Sequence, residues 1–182
     1  MDFLELAEKR QSDRAFDPER KIEPEKIKRI LEAARIAPSA CNAQPWHFIV
    51  VNNPELKNKI ADATSTKVLG MNHFTKQAPV HILIVEENAN FTSNIGSWVK
   101  NKHFPYIDIG IAAAHITLAA AAEGIGSCII GWFDEKNIKK LLGIPSSKRI
   151  LLDILLGYST QEHRNKKRKL SDEIITYNRY EK

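Results

Sequence analysis

Ile107-Asp-Ile-Gly-Ile-Ala-Ala-Ala-His-Ile-Thr-Leu-Ala-Ala-Ala-Ala-Glu-Gly-Ile-Gly-Ser-Cys-Ile-Ile130 is the stretch on which the fold turns. Residues 107–123 read as the longest helix of the chain, and nearly every face of it is small or apolar. A helix apolar on all sides is buried on all sides. In a chain this short it is either the central helix or one that packs against a second subunit. Gly124 ends it, and Ser127-Cys-Ile-Ile130 is a short buried strand. A buried helix that hands over to a buried strand belongs to an α/β or α+β layering.

Working outward, Asp2 caps a first helix that runs to about Arg10, with Phe3, Leu6 and Ala7 on one face. Pro24 is the first residue of a helix over 25–37, in which Ile27, Ile30, Leu31 and Ala34 follow the i, i+3, i+4, i+7 pattern; Pro38 stops it. Trp46-His-Phe-Ile-Val-Val-Asn52 and Val80-His-Ile-Leu-Ile-Val-Glu86 are strands. Between them Pro54 opens a helix to about Ala63. The stretch from Glu87 to Pro105 is polar and lacks a sustained period, so it reads as a loop or short helical lid. Asp134 caps a helix to Leu142, closed by Gly143 and Pro145, and Ile150-Leu-Leu-Asp-Ile-Leu-Leu156 is the last strand.

The chain has 182 residues, 43% hydrophobic and 27% charged, which fits one soluble globular domain over 1–182. The longest uncharged apolar run, Ile109 to Ala122, falls short of the ~20 residues of a bilayer span. No membrane partner is expected. Cys41 and Cys128 cannot form a disulfide framework or a CxxC zinc site, and a reducing cytoplasm is the default compartment. Lys and Arg number 27 against 22 Asp and Glu, a net charge of +5. Arg164-Asn-Lys-Lys-Arg-Lys169 holds all of the excess. One local basic cluster is a solvated tail or a phosphate clamp. A nucleic-acid face spreads its charge over a stripe or helix and carries a reading motif, so no nucleic-acid partner is expected.

There is no GxxxxGK[ST] phosphate loop and no HExxH. Gly124, Gly126 and Gly131 end a helix and open a strand, the reverse of a dinucleotide fingerprint. Cys41 with His47 makes a weak nucleophile candidate, and the six histidines lack metal-ligand spacing. What stands out is a combination. Arg10-Gln-Ser-Asp-Arg-Ala-Phe16 places two guanidiniums and a hydroxyl after the first helix. Pro38-Ser-Ala-Cys-Asn-Ala-Gln-Pro-Trp46 is a polar loop, and Gly124 to Gly131 offers backbone donors with little side chain in the way. Guanidiniums bind phosphate through paired hydrogen bonds, and amides suit a heterocycle with donors and acceptors. An organic phosphate carrying a flat ring fits both halves.

These segments, in order and with Asp108-Ile-Gly-Ile-Ala-Ala-Ala-His-Ile-Thr-Leu-Ala-Ala120 and Arg168-Lys-Leu-Ser-Asp-Glu-Ile-Ile-Thr-Tyr-Asn-Arg-Tyr180, resemble the FMN-dependent nitroreductases over nearly the whole chain. The resemblance implies that Arg10 and Ser12 bind the flavin phosphate and ribityl chain. It places Arg14 by the pyrimidine end of the ring, where reduction leaves negative charge. Pro38, Ser39, Ala40 and Asn42 reach the flavin from the other subunit, supported by Gln44. Ile130 and Gly131 present backbone N–H to flavin N5, and Lys166 and Arg168 close on the phosphate. Asn72 is the candidate for a further polar contact. The implied fold is α+β: a mixed, mostly antiparallel sheet flanked by helices, in a homodimer whose C-terminal segment wraps onto the partner. Its interface would use the alanine-rich helix, with Ala119 or Ala120 facing the partner. The implied activity is transfer of electrons from NADH or NADPH through FMN to a small-molecule acceptor such as a nitroaromatic or quinone. A non-catalytic flavin-binding protein on the same fold is the alternative, with a nucleic-acid-binding module behind it.

Overall fold

Val80 to Glu86, apolar at every position but His81 and the terminal glutamate, forms the strand β2 that anchors the sheet. The computed structural model describes residues 2–65, 71–87 and 103–180. β2 pairs with β1 (Trp46–Val51) on one side and with β4 (Arg149–Gly157) on the other, and β3 (Gly126–Ile130) pairs with β4. The order is β1-β2-β4-β3, and every ladder is antiparallel. The parallel component among the described residues is the bridge from Ser12 to Ser127 at the β3 edge.

Alternation along the central strands sorts side chains to two faces. Ile82, Ile84, Ile154 and Leu156 face α2 (Pro24–Arg35) and α4 (Phe104–Ala122), meeting Ile30, Ala34, Ile109, Ala113, Ile116 and Ala120. Leu83, Val85 and Ile150 face α3 (Pro54–Thr64) and α5 (Glu135–Leu142), against Ile60 and Ile138. The fold is therefore α+β, an antiparallel sheet between two helical layers. α1 (Phe3–Lys9) carries an Asp2–Glu5 capping box but buries no residue, and Phe3 and Leu4 are exposed. Helix starts agree with the proline and cap signals: Pro24 and Pro54 sit in the first turn, Asn53 and Asp134 cap, and Gly143 closes α5 at φ 67°.

Three expectations change. α4 starts at Phe104, with Pro105 in its first turn, so it has 19 residues and the length to cross a bilayer. Half of its apolar window is nevertheless buried in the fold, and Asp108 is buried within it. The helix is also not covered all round. Ile107, Gly110, Ala114 and Ala122 are exposed, with Ile111, His115 and Leu118 half-buried beside them. Ala120 packs into the core and Ala119 against it, so the open stripe carries Ala114 and Ala122 in their place. The segment expected to be a loop or lid lies, for residues 88–102, outside the described residues.

The far end of α4 is locked. Lys26 Nζ donates to Glu123 O (3.1 Å) and to Tyr158 Oη (3.1 Å), and Arg29 binds the Glu123 carboxylate through two 2.7 Å bonds. After β4 the chain returns to the N-terminal segment, Asp17 N–H donating to Tyr158 O and Thr160 N–H to Ala15 O. Gly157 permits this approach. A Cβ there would lie 2.8 Å from both Phe16 Cδ1 and Pro79 Cδ. Gly157→Ala should destabilise the protein by about 1–3 kcal/mol through overpacking, seen as a lower urea midpoint with an unchanged slope.

Candidate functional site

Arg10 closes α1, and the chain then runs extended along the β3 edge. Asp13 makes the joint. Its buried carboxylate accepts from Ser127 N (3.1 Å), Ser159 Oγ (2.7 Å) and Gln11 Nε2 (2.9 Å), and its own N–H donates to Ser127 O (2.9 Å). Gly126 leaves room for it, since a Cβ there would sit 2.8 Å from Asp13 Oδ2. Ser12 is thereby held beside Ser127, and Arg14 N–H is taken by Gln161 Oε1.

The basic run beyond β4 is fastened to the same corner. Arg164 donates from its guanidinium to Ser12 O (2.8 Å) and from its backbone to Gln11 Oε1 (3.1 Å), while Lys166 Nζ donates to Ala7 O in α1. Arg10, Lys166 and Arg168 consequently share a cleft of about 750 Å³ with Leu4, Ala7, Glu8, His163 and Asn165. Burial pushes the Lys166 ammonium below its usual range; Arg10 and Arg168 push the same way, against Glu8. Among the described residues these three cations form no salt bridge. A phosphate dianion would relieve their repulsion, so the residues fit an organic phosphate.

A second cleft, of about 490 Å³, joins Arg14 to Met71, Asn72, His73, Phe74 and Gln77. Its floor is the short 3₁₀ turn His73–Gln77, fixed from below. Thr75 Oγ1 bonds Asn72 O (2.9 Å) and Thr64 Oγ1 (2.9 Å). His81, fully buried, places Nε2 3.2 Å from Thr75 O and Nδ1 2.8 Å from Asp153 Oδ2. Both ring nitrogens lie within hydrogen-bond reach of an oxygen, so the ring ties the turn to β4. The amide nitrogen of Asn72 is spent on Thr64 O (3.1 Å) and Trp132 O (3.4 Å), which leaves Oδ1 to accept. Arg14 and Asn72 together offer the cleft a donor and an acceptor. At the end of β3, Ile130 is buried and Gly131 exposed, with nothing within 4 Å of where a Gly131 Cβ would stand.

The remaining predicted residues lie elsewhere. Pro38, Ser39, Ala40, Asn42 and Gln44 form a loop over the first turns of α4. Ala40 N–H donates to the buried Asp108 Oδ1 (3.1 Å), Gln44 N–H to Ser39 Oγ (3.0 Å), and Gln44 Nε2 to Asn42 Oδ1 (3.1 Å). Cys41, Asn42 and Gln44 all have φ near +50°. This loop leads into Trp46, which pairs with Glu86 opposite Arg149, whereas Gly126 pairs with Gly157 at the other end of β4. At ~3.3 Å per residue those ends are about 27 Å apart. Along α4, Asp108 and Ala121 are likewise separated by about 20 Å. One chain thus brings Arg10, Ser12, Lys166 and Arg168 together, with Arg14 and Gly131 close by, and holds the Pro38–Gln44 loop at the opposite corner.

The family model for the nitroreductases matches residues 7–70 and 65–158. The chain belongs to the nitroreductase family. This nitroreductase is 30% identical to YdgI of Bacillus subtilis (strain 168), provisionally named an NAD(P)H nitroreductase, over 88% of this chain and 90% of that one. It is 27% identical to the oxygen-insensitive NADPH nitroreductase of Helicobacter pylori (strain J99) over 95% of each chain. Among solved structures it is similar to an FMN-dependent nitroreductase of Clostridium difficile R20291. The TM-score is 0.76 at 29% identity, covering 98% of this chain and 100% of that one. A nitroreductase family protein of Streptococcus pneumoniae TIGR4 gives 0.81 at 26% identity, covering 97% and 100%.

Asp13 and Asp108 were not legible as site residues, since a single acid in a polar segment reads as surface. They are the two joints. Asp13→Ala should strand the Ser127 N–H and Ser159 hydroxyl, costing about 1–3 kcal/mol for each group left unpaired. The Ser127 amide should then exchange faster with solvent. Asp108→Ala should leave Ser127 protected and loosen the Ala40 amide. Faster exchange at Ser127 in both variants would contradict the separation of the two corners.

Proposed function

We propose that this nitroreductase is an FMN-dependent NAD(P)H oxidoreductase that reduces small acceptors such as nitroaromatics or quinones and works as a homodimer. The observation that carries the reading is the convergence of Arg10, Lys166 and Arg168, drawn from both ends of the chain, on one cleft without a salt bridge. Bound FMN supplies a ring that takes hydride from NADH or NADPH and passes electrons to an acceptor occupying the same place in turn.

The chain's own groups hold and tune that ring. Arg10, Lys166 and Arg168 take the phosphate, and Ser12 the ribityl chain. Arg14 lends fixed positive charge to the ring edge where reduction accumulates negative charge, and Asn72 Oδ1 accepts from the same edge. The N–H groups of the Ile130–Gly131 end of β3 face the ring's reactive nitrogen. Pro38, Ser39, Ala40 and Asn42, braced by Gln44, serve the flavin of a second copy, because their own chain holds them at the end of α4 away from the Arg10 corner. The open stripe of α4 supports that copy's seat. Residues 167–180 are exposed throughout and carry Leu170, Ile174, Ile175, Tyr177 and Tyr180, an apolar arm with the composition to wrap a partner. Cys41 and Cys128 are not joined in a disulfide, in keeping with a cytoplasmic protein.

Arg10→Ala with Arg168→Ala should weaken FMN binding at least about a hundredfold, from about 1.5–3 kcal/mol for each charge-assisted contact. Fluorescence titration checks this, and unchanged affinity would move the phosphate elsewhere. Ala114→Glu, on an exposed position, should leave the chain folded but place a carboxylate in the interface at a cost of several kcal/mol. Light scattering with flavin absorbance should then show a monomer without FMN. A folded monomer retaining one FMN would return the whole site to a single chain.

A further inference from the structure

His163 lines both hollows that flank Arg10. On one side is the cleft of Lys166 and Arg168, on the other a smaller hollow of about 230 Å³ bounded by Lys9, Gln11, Asp13 and the Gly124–Ser127 turn. We propose that His163 is a fourth, proton-switched cation of the phosphate site, so that the protein holds FMN more tightly as pH falls through the imidazole range. This rests on the flavin reading above and adds regulation of cofactor retention to it.

The groups that share these hollows with His163 fix the sign. α1 contributes Glu8, Lys9 and Arg10, and the C-terminal segment contributes Lys166 and Arg168. Asp13 also borders the hollow, but its carboxylate already accepts three hydrogen bonds from Ser127, Ser159 and Gln11. The end of α4 contributes only the uncharged Ala121 and Gly124. Cations outnumber the free carboxylate, so a protonated imidazole has little to pair with until an anion enters. A phosphate dianion beside the ring reverses that balance and favours the charged imidazole. Proton uptake and phosphate binding are then reciprocal: whatever the proton adds to FMN affinity, FMN adds to proton affinity. Arg10, Lys166 and Arg168 stay charged across this range and supply the constant part of the binding.

The test is FMN affinity of the full-length protein at about pH 8 and about pH 6.5, for wild type and His163→Gln. The wild-type Kd should fall roughly three- to fourfold at the lower pH. The variant should show no tightening, or a slight loosening as the free phosphate begins to take up its own proton near pH ~6. The His163 ring proton, followed by NMR, should titrate higher with FMN bound than without. Parallel affinity profiles for the two proteins, with FMN bound in both, would overturn the role of His163 alone. No FMN binding by wild type at either pH would overturn the flavin reading, and this inference with it.

Discussion

Distance along α4 governs the rest of the structure. The 19-residue helix spans the sheet from the corner of the Pro38–Gln44 loop to the corner where Arg10 meets the basic C-terminal run. Each corner is pinned to an end of that helix by a buried carboxylate or by a network around its last turn. Asp108 holds Ala40 at one end, and the Lys26–Glu123–Arg29 cluster fixes the other. Helix and sheet are packed face to face through Ile109, Ile116, Ile82 and Ile154, so neither corner can swing toward the other without opening the core. A cofactor that needs both corners therefore needs two chains. The open stripe of α4, small at Gly110, Ala114 and Ala122, lets two such helices approach closely.

Charge at the cation corner points the same way. Lys166 is tied to a carbonyl of α1, and two guanidiniums crowd it, with Glu8 the one carboxylate lining the cleft among the described residues. Cations near the C-terminal carbonyls of a helix gain a little from its dipole, but α1 is one of the shorter helices and buries nothing. Among the described residues no salt bridge offsets the repulsion among the three cations, and Glu8 opposes it only in part. An anion entering the cleft would relieve it.

Much of this was legible in the sequence where a residue's chemistry acts locally. Pro24, Pro54, Asp134 and Gly143 marked helix ends because a fixed φ, a cap or a left-handed residue acts within a turn. The bounds of β2 followed from an apolar run too short for a helix. The turns Ala40–Asn42 and His73–Gln77 were not legible, because a hydrogen bond donated to Asp108 holds the first and one donated by Thr64 holds the second, both from outside the turn. Nor could a uniformly apolar α4 reveal which face stays open: Ala119 or Ala120 was expected outward, but Ala120 lies in the core and Ala119 packs against it. Arg10, Lys166 and Arg168 line one cleft, yet the part played by Asp13 in holding Ser12 and its neighbours beside Ser127 was invisible from Gln-Ser-Asp-Arg alone.

The central claim is that the flavin site is completed by a second chain, and the measurement that reaches it most directly is a crystal structure of the protein with FMN. The account predicts a phosphate on Arg10, Lys166 and Arg168 of one chain, the ring edge between Arg14 and Asn72 of that chain, and the Pro38–Asn42 loop of the other chain against the ring. A flavin enclosed by the groups of a single chain, or a phosphate bound away from Lys166, would contradict it.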